Sequence, residues 1–278
     1  VKLGGGTPHF VVLPGFGNDA ADYVTPLGQP LEVGFQAVLA RRGCTSVVSP
    51  VRRIDWLRVF ARGLLDEDFR AGNGTAPVAF GWYLDMAQET VEKAVAESGM
   101  PVVLVGHSAG GWLARALMQR EGSAWIKANV RGLATLGAPH LPPPDGFRDM
   151  TQGCLTNLHK AQPGAYFSDL LFYVTIAGES VIGEKIEGNL PILELIQSPS
   201  PESTAYNSYT AVSGEGAIVG DGVVPVRAAH LEGARQLTIQ GCLHSVNIAG
   251  TTTPTDRSYM CEIFVDDWLE LVAEELQK

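Results

Sequence analysis

The pentapeptide Gly106-His107-Ser108-Ala109-Gly110 constrains this chain more than any other feature of its sequence. An apolar run at residues 101–105 precedes it and predicts a buried β-strand, and residues 112–118 predict a helix after it. Glycine two positions before and two positions after Ser108 permits a sharp turn, because a Cβ atom there would clash with the neighbouring strand and helix. The turn lifts the Ser108 hydroxyl off the sheet, and the helix N-terminus favours negative charge beside it. The segment therefore predicts a strand–turn–helix unit that presents Ser108 as a nucleophile.

Short apolar runs alternate with helical patterns along the rest of the chain. This alternation predicts an α/β fold, a mostly parallel sheet of about six strands with helices on both faces. The predicted strands are residues 10–13, 45–48, 101–105, 130–136, 172–177 and 236–239. The predicted helices are residues 31–42, 82–98, 112–118 and 259–276. We therefore expect residues 1–278 to form a single domain.

Two long stretches, residues 139–169 and 179–219, do not fit this alternation. Each follows the carboxyl end of a predicted strand, which is where α/β sheets place their active sites. Long loops in a compact domain are usually functional, so we expect a cap or lid over Ser108 within residues 139–219, with ordinary surface loops as the alternative. Apolar side chains in this region predict a hydrophobic substrate pocket, and they are Phe147, Tyr166, Phe167 and Leu170.

A serine hydroxyl becomes a good nucleophile only when a base accepts its proton and an acid orients that base. The expected base is His244, which follows the last predicted strand in a crossover loop from which an imidazole can reach the turn. His140, at the end of the strand at 130–136, is the competing candidate. His107 lies inside the turn, where its side chain should point away from the side that Ser108 faces. We expect His107 and His140 to border the pocket.

Asp221 is the expected acid, because its flanking glycines permit the tight turn that brings a carboxylate to an imidazole. Its place between Ser108 and His244 follows the chain order serine, acid, histidine. A turn-capping role is the structural alternative for Asp221. Glu179, just after the strand at 172–177, is the alternative acid.

An oxyanion hole requires two backbone N–H groups, and the residue after the nucleophile supplies one of them. Ala109 holds that position. The second donor should come from the glycine-rich turn at residues 14–17, after the first strand, and Phe16 is the expected residue. Its ring could equally belong to the core, since the role needs only its backbone.

Taken together, these segments resemble the α/β-hydrolase superfamily, in its lipase-like branch. The similarity follows the family's order over nearly the whole chain, at residues 13–17, 104–111, 135–140, 220–225 and 244–245. It extends to bacterial-type lipases and to lipases similar to the inositol deacylase of GPI anchors. Residues 55–58 and 110–115 resemble an uncharacterised plastid group of plants and algae, which implies a plastid location, with a soluble intracellular protein as the alternative.

The resemblance implies a serine carboxylic-ester hydrolase that forms an acyl-enzyme. It assigns Ser108 as nucleophile, Asp221 as acid, His244 as base, and Phe16 with Ala109 as oxyanion donors. We expect a hydrophobic ester substrate, such as a lipid, and no metal or organic cofactor. Thioester cleavage, acyl transfer, and removal of a phytyl or methyl ester from a chlorophyll derivative are the alternatives within this chemistry. A catalytically idle scaffold with the same fold is the alternative of another class.

The net charge limits the classes of binding partner that we expect. A net charge of −10 argues against nucleic acid and against simple electrostatic docking on anionic lipid, so any peripheral membrane contact is expected through the cap. The four cysteines are widely spaced and predict free thiols, with a Cys242–Cys261 disulfide as the alternative. The chain begins at Val1 rather than Met, which predicts that a preceding segment has been removed.

Overall fold

The structure, a computed structural model, describes residues 8–185, 200–248, 251 and 253–278. Its strands are β1 (His9–Leu13), β2 (Thr45–Val48), β3 (Val102–His107), β4 (Val130–Leu136), β5 (Phe172–Glu179), β6 (Val181–Ile182), β7 (Val219–Gly220) and β8 (Arg235–Gln240). A six-stranded parallel sheet runs in the order β2-β1-β3-β4-β5-β8, and β6 pairs with β7 in a separate antiparallel ribbon. The predicted α/β fold with a parallel sheet is confirmed.

Helices cover both faces of this sheet. They are α1 (Phe35–Ala40), α2 (Leu57–Leu65), α3 (Glu67–Arg70), α4 (Ala76–Ser98), α5 (Ala109–Asn129), α6 (Cys154–Ala161), α7 (Pro201–Ser213), α8 (Val226–Ala229) and α9 (Val265–Leu276). Helices α4, α5 and α6 contribute to one hydrophobic core cluster, and α1 and α9 contribute to a second. Alternate residues of β3 enter opposite clusters: Leu104 belongs to the first and Val105 to the second. A strand buried on both faces explains why residues 102–105 of β3 are an unbroken apolar run.

All four predicted helices have different bounds in the structure: α4 and α5 are longer than predicted, and the other two are shorter. The helix predicted at residues 31–42 is divided at Gly34, because a 3-10 turn at Leu31–Val33 ends there before α1 begins. A Cβ atom at Gly34 would lie 2.0 Å from the carbonyl oxygen of Val24, so the chain passes too close for a larger residue. The last helix begins at Val265 and not at Tyr259, which lies in a separate turn before it.

The predicted cap region contains much that belongs to the core. Strand β5 lies inside the sheet, and α6 buries Cys154, Leu155 and Leu158 in the first core cluster. Residues 186–199 of the predicted cap lie outside the described residues. A lid over Ser108 therefore stays a prediction.

The state of the cysteines tests one further expectation. All four cysteines are free, so the disulfide alternative is wrong. Within the part of the chain that the structure describes, no helix is both long enough and apolar enough to span a membrane.

Candidate active site

Ser108 occupies the tight turn between β3 and α5, with φ 52° and ψ −127°. A residue with a Cβ atom rarely adopts this conformation, so the surrounding contacts must hold it in place. The Ser108 N–H donates to Leu136 O at 2.9 Å, and the Gly111 N–H donates to Ser108 O at 3.0 Å. The hydroxyl makes no hydrogen bond to any other described residue, which leaves it available to a substrate.

The flanking glycines allow this turn for a steric reason. A Cβ atom on Gly106 would lie 2.4 Å from an α-carbon of α5, and one on Gly110 would lie 2.1 Å from Leu13 O. The loop after β1 is equally close, because a Cβ atom on Gly15 would lie 2.8 Å from the Cβ of Ser108. The backbone of this loop therefore runs directly against Ser108.

A buried carboxylate and imidazole lie at the same edge of the sheet. His244 Nδ1 lies 2.7 Å from Asp221 Oδ2, and the Tyr259 hydroxyl donates to the same oxygen at 2.7 Å. The backbone N–H groups of Val223 and Val224 donate to Oδ1 at 2.9 and 2.7 Å. The Asp221 carboxylate thus accepts four hydrogen bonds in a site closed to solvent.

These contacts define the protonation of the pair. Burial alone would raise the pKa of Asp221, but His244 and the hydrogen-bond donors outweigh it, so the pKa is lowered. An ionised carboxylate can only accept, so the proton on the imidazole of His244 must sit on Nδ1. In the neutral ring Nε2 then carries a lone pair and can act as a base.

Sequence reasoning missed Tyr259 and Tyr209, which both support the acid. Burial, with Asp221 nearby, raises the pKa of Tyr259 well above its ordinary value, so its hydroxyl keeps the proton that it donates. The Tyr209 hydroxyl accepts from the Gly222 N–H at 2.8 Å, directly after Asp221. Tyr259 is 38 positions from Asp221 in the chain, and no local pattern marks such a contact.

His107 lies behind the site and joins two of its loops. Its Nε2 lies 2.9 Å from His244 O, and its Nδ1 lies 2.8 Å from the Tyr23 hydroxyl. A carbonyl can only accept, so Nε2 donates to it and Nδ1 accepts from Tyr23. The Tyr23 oxygen in turn accepts from the Gly15 N–H at 2.9 Å and the Asn18 side chain at 3.0 Å. A continuous hydrogen-bonded chain therefore connects the loop after β1 with the loop that carries His244.

The prediction that His107 borders the substrate pocket is wrong, because its ring is buried and both nitrogens are occupied. Burial, together with nearby His244, lowers the pKa of His107 to about 3. The ring is therefore neutral, as the hydrogen-bond directions also require.

His140 is wrong both as the competing base and as a pocket residue. It is fully buried, and its Nε2 lies 2.9 Å from the hydroxyl of Thr135. Burial, with Arg115 nearby, holds the pKa of His140 well below its ordinary value. Glu179 is wrong as the alternative acid, because its carboxylate accepts from the Gln240 side chain while Asp221 binds the imidazole.

The two candidate oxyanion donors flank the Ser108 turn. Ala109 is the first residue of α5, so its N–H has no acceptor within the helix. Phe16 follows Gly15 in the loop against Ser108, and its half-exposed ring packs 5.0 Å from the ring of Trp56. Neither N–H has an acceptor among the described residues.

The predicted aromatic pocket divides between the two edges of the sheet. Tyr166, Phe167 and Leu170 precede β5, and the neighbouring Ala165 N–H donates to Glu232 O, just before β8. They therefore lie at the amino edge, opposite Ser108, and their assignment to the pocket is wrong. The chain must return there after α6 because β5 runs parallel to β4. Phe147 lies against Gly214 at the end of α7 and stays a prediction.

The parallel sheet and the turn at Ser108 define an α/β hydrolase. The sequence profile of the Alpha/beta hydrolase family matches residues 10–209, and the chain belongs to this family. A comparison with curated proteins finds no significant match.

Solved structures of similar fold include lipases and an esterase. The lipase BlEst2 of Bacillus licheniformis, in its mature form, is 15% identical, with a TM-score of 0.54 over 96% of this chain and 92% of its own. The lipase of Staphylococcus hyicus is 12% identical, with a TM-score of 0.55 over 100% and 98%. The metagenomic carboxyl esterase MGS0156 is 12% identical, with a TM-score of 0.54 over 99% and 77%. At these identities the likeness extends to the fold alone.

Proposed function

We propose that this protein is a serine carboxylic-ester hydrolase, with Ser108 as nucleophile, His244 as base and Asp221 as acid. The observation that carries the proposal is the buried Asp221–His244 pair, in which the second imidazole nitrogen has no hydrogen-bond partner among the described residues and lies at the edge where Ser108 is presented. An ionised acid behind a neutral imidazole is the arrangement that activates a serine hydroxyl.

The reaction proceeds through an acyl-enzyme. The Ser108 oxygen bonds to the ester carbonyl carbon while its proton passes to His244 Nε2, and the N–H groups of Phe16 and Ala109 stabilise the oxyanion. The bond to the alcohol then breaks, and the alcohol takes that proton. Water next gives a proton to Nε2 and bonds to the acyl carbon. The acid leaves as the proton returns to Ser108.

A hydrophobic ester is the substrate class we favour. Phe16, whose own N–H is a proposed oxyanion donor, has a half-exposed ring, and this ring lies next to the rings of Trp56 and Phe60. An alkyl chain that leaves the carbonyl on this side can bury its surface against them. The lipases among the structures of similar fold are consistent with this class.

Asp221→Asn tests the proposal at its acid. We expect the kcat for 4-nitrophenyl butyrate to fall about 10⁴-fold, because asparagine cannot stabilise the imidazolium and favours the wrong tautomer. Glu179→Gln is the matched control at the end of β5, and it should change kcat less than tenfold. If the two variants behave in reverse, the acid is Glu179 and the proposed arrangement is incorrect.

A further inference from the structure

Large apolar side chains are exposed on α2, on the 3-10 turn before it (Arg53–Trp56) and on the adjoining loop after β1. We call this surface the α2 face, and its residues are Phe16, Ile54, Leu57, Phe60 and Leu65. Their exposed fractions are 50%, 64%, 61%, 60% and 84%. Trp56 and Val59 of the same segment are buried in the core. The segment thus carries large apolar side chains on its solvent side as well as on its inner side, more than packing in the core requires.

Arginines border this face, although the whole chain is acidic. Residues 52–65 contain four arginines and Asp55 as the single acidic residue, and Arg53 is paired with Asp22 of the loop after β1 at 2.7 Å. The exposed Arg52 and Arg58 share the buried carboxylate of Asp55, at 3.0 and 3.2 Å, so the pair leaves an excess of positive charge. Arg62 is exposed one turn further along α2. Acidic residues 66–68 follow α2, so the excess positive charge beside this face comes from Arg52, Arg58 and Arg62.

The α2 face is continuous with the candidate active site. The Phe16 ring lies 5.0 Å from the ring of Trp56 and 6.4 Å from that of Phe60. The Arg53 side chain donates to Gly17 O at 3.1 Å, and the Trp56 indole donates to Asn18 O at 2.9 Å. The loop that bears the proposed oxyanion donor is therefore fastened to this segment.

We propose that the α2 face docks on the surface of a phospholipid bilayer. Exposed Leu and Phe side chains on a helix flanked by arginines are the features that place a helix in the membrane interface. The alkyl stems of the arginines lie along the apolar boundary while their guanidinium groups bind lipid phosphate. A second copy of this chain fits the surface less well, because a twofold contact would press arginines against arginines.

In this orientation the active site would lie next to the membrane surface. Phe16 lies at the border between the α2 face and the Ser108 turn, so a hydrophobic ester in the bilayer would have a short path to the site. Membrane contact is thus assigned to residues 52–65 rather than to the predicted cap. The docking surface goes beyond the proposed function, because binding to the bilayer requires no catalysis.

Co-sedimentation with sucrose-loaded vesicles tests the proposal with the full chain. Vesicles of phosphatidylcholine are compared with vesicles that also contain about 30% phosphatidylglycerol. We expect the double variant Ile54→Ser/Leu57→Ser to lower the partition coefficient at least about tenfold. The matched control is Leu31→Ser/Ile263→Ser, whose side chains are 60% and 49% exposed beside α1 and α9, and it should partition like the unmodified protein.

The arginines require a separate variant. Arg62→Gln should weaken partitioning on the anionic vesicles about fivefold and change it little on phosphatidylcholine alone. Hydrolysis of a water-soluble ester should stay unchanged in all these variants, so a failure of docking is distinguished from a failure of the proposed function.

Three results would overturn the docking proposal. One is the absence of binding to either vesicle. Another is an equal loss in the Leu31→Ser/Ile263→Ser control. The third is a dimer, detected by light scattering, that Ile54→Ser/Leu57→Ser dissociates, since the occupant would then be a second copy.

Discussion

At the scale of single residues, His107 serves the candidate site without facing it. Its position beside Ser108 in the sequence suggests contact with substrate, yet its ring points inward and binds the backbone of His244. The hydrogen bond from Tyr23 fixes which nitrogen carries the proton. A neutral, buried imidazole is therefore part of the framework that positions the base.

This buried histidine makes stability depend on pH. The pKa of His107 is lowered to about 3, whereas a histidine in the unfolded chain has a pKa of about 6.5. At a pH between these two values, His107 is protonated in the unfolded chain but neutral in the folded chain. The contribution of His107 to the free energy of unfolding is therefore complete above about pH 6.5 and is lost as the pH falls toward 3.

The expected slope is up to about 1.4 kcal/mol of unfolding free energy per pH unit from this residue. Urea unfolding at pH 7, 6 and 5, roughly the upper part of the range between the two pKa values, measures this slope. In His107→Asn the decline with falling pH should be shallower than in the unmodified protein. Parallel declines in the two proteins would show that His107 does not carry this dependence.

At the scale of elements, local patterns predicted the parts that local interactions determine. The unit of β3, turn and α5 is one example, because two glycines and an apolar run define it within a few residues. Gly34 and Tyr259 show the opposite case. The break before α1 depends on the backbone of Val24, and the role of Tyr259 depends on Asp221, so neither could be predicted from neighbouring residues.

The direction of the chain between β4 and β5 explains the error over Tyr166 and Phe167. A stretch that follows the carboxyl end of a strand was expected to remain on that side. Because the next strand is parallel, the chain must cross to the amino edge before β5 begins. Only its first part, which includes Phe147, can lie near the site.

The preference for acyl-chain length tests which edge of the sheet binds the acyl chain of the substrate. We expect kcat/KM for nitrophenyl esters to rise from two to about eight acyl carbons, by up to about 0.8 kcal/mol of transition-state stabilisation for each buried CH₂. Phe16→Ala should flatten this rise, because the substitution removes the ring but keeps the backbone N–H that is proposed to bind the oxyanion. Tyr166→Ala is the matched control, since the two rings are 50% and 55% exposed, and it should leave the slope unchanged. A flat profile in the unmodified protein would indicate a small-ester hydrolase.

At the scale of the whole molecule, the parallel sheet assembles the site from distant segments. The loop after β1, the turn after β3 and the loop after β8 all lie at carboxyl ends of strands, which share one edge. The family match covers residues 10–209 and so includes Ser108 but neither Asp221 nor His244. Their role therefore depends on the distances within the site rather than on the family.

Site mapping with a fluorophosphonate probe tests the central claim most directly. The probe phosphonylates an activated serine, and mass spectrometry of the peptides identifies the modified residue. We expect one adduct, on Ser108, which disappears in Ser108→Ala together with ester hydrolysis and persists in Ser180→Ala, a serine directly after β5 at the same edge. An adduct on another serine, or ester hydrolysis that survives Ser108→Ala, would contradict the assignment.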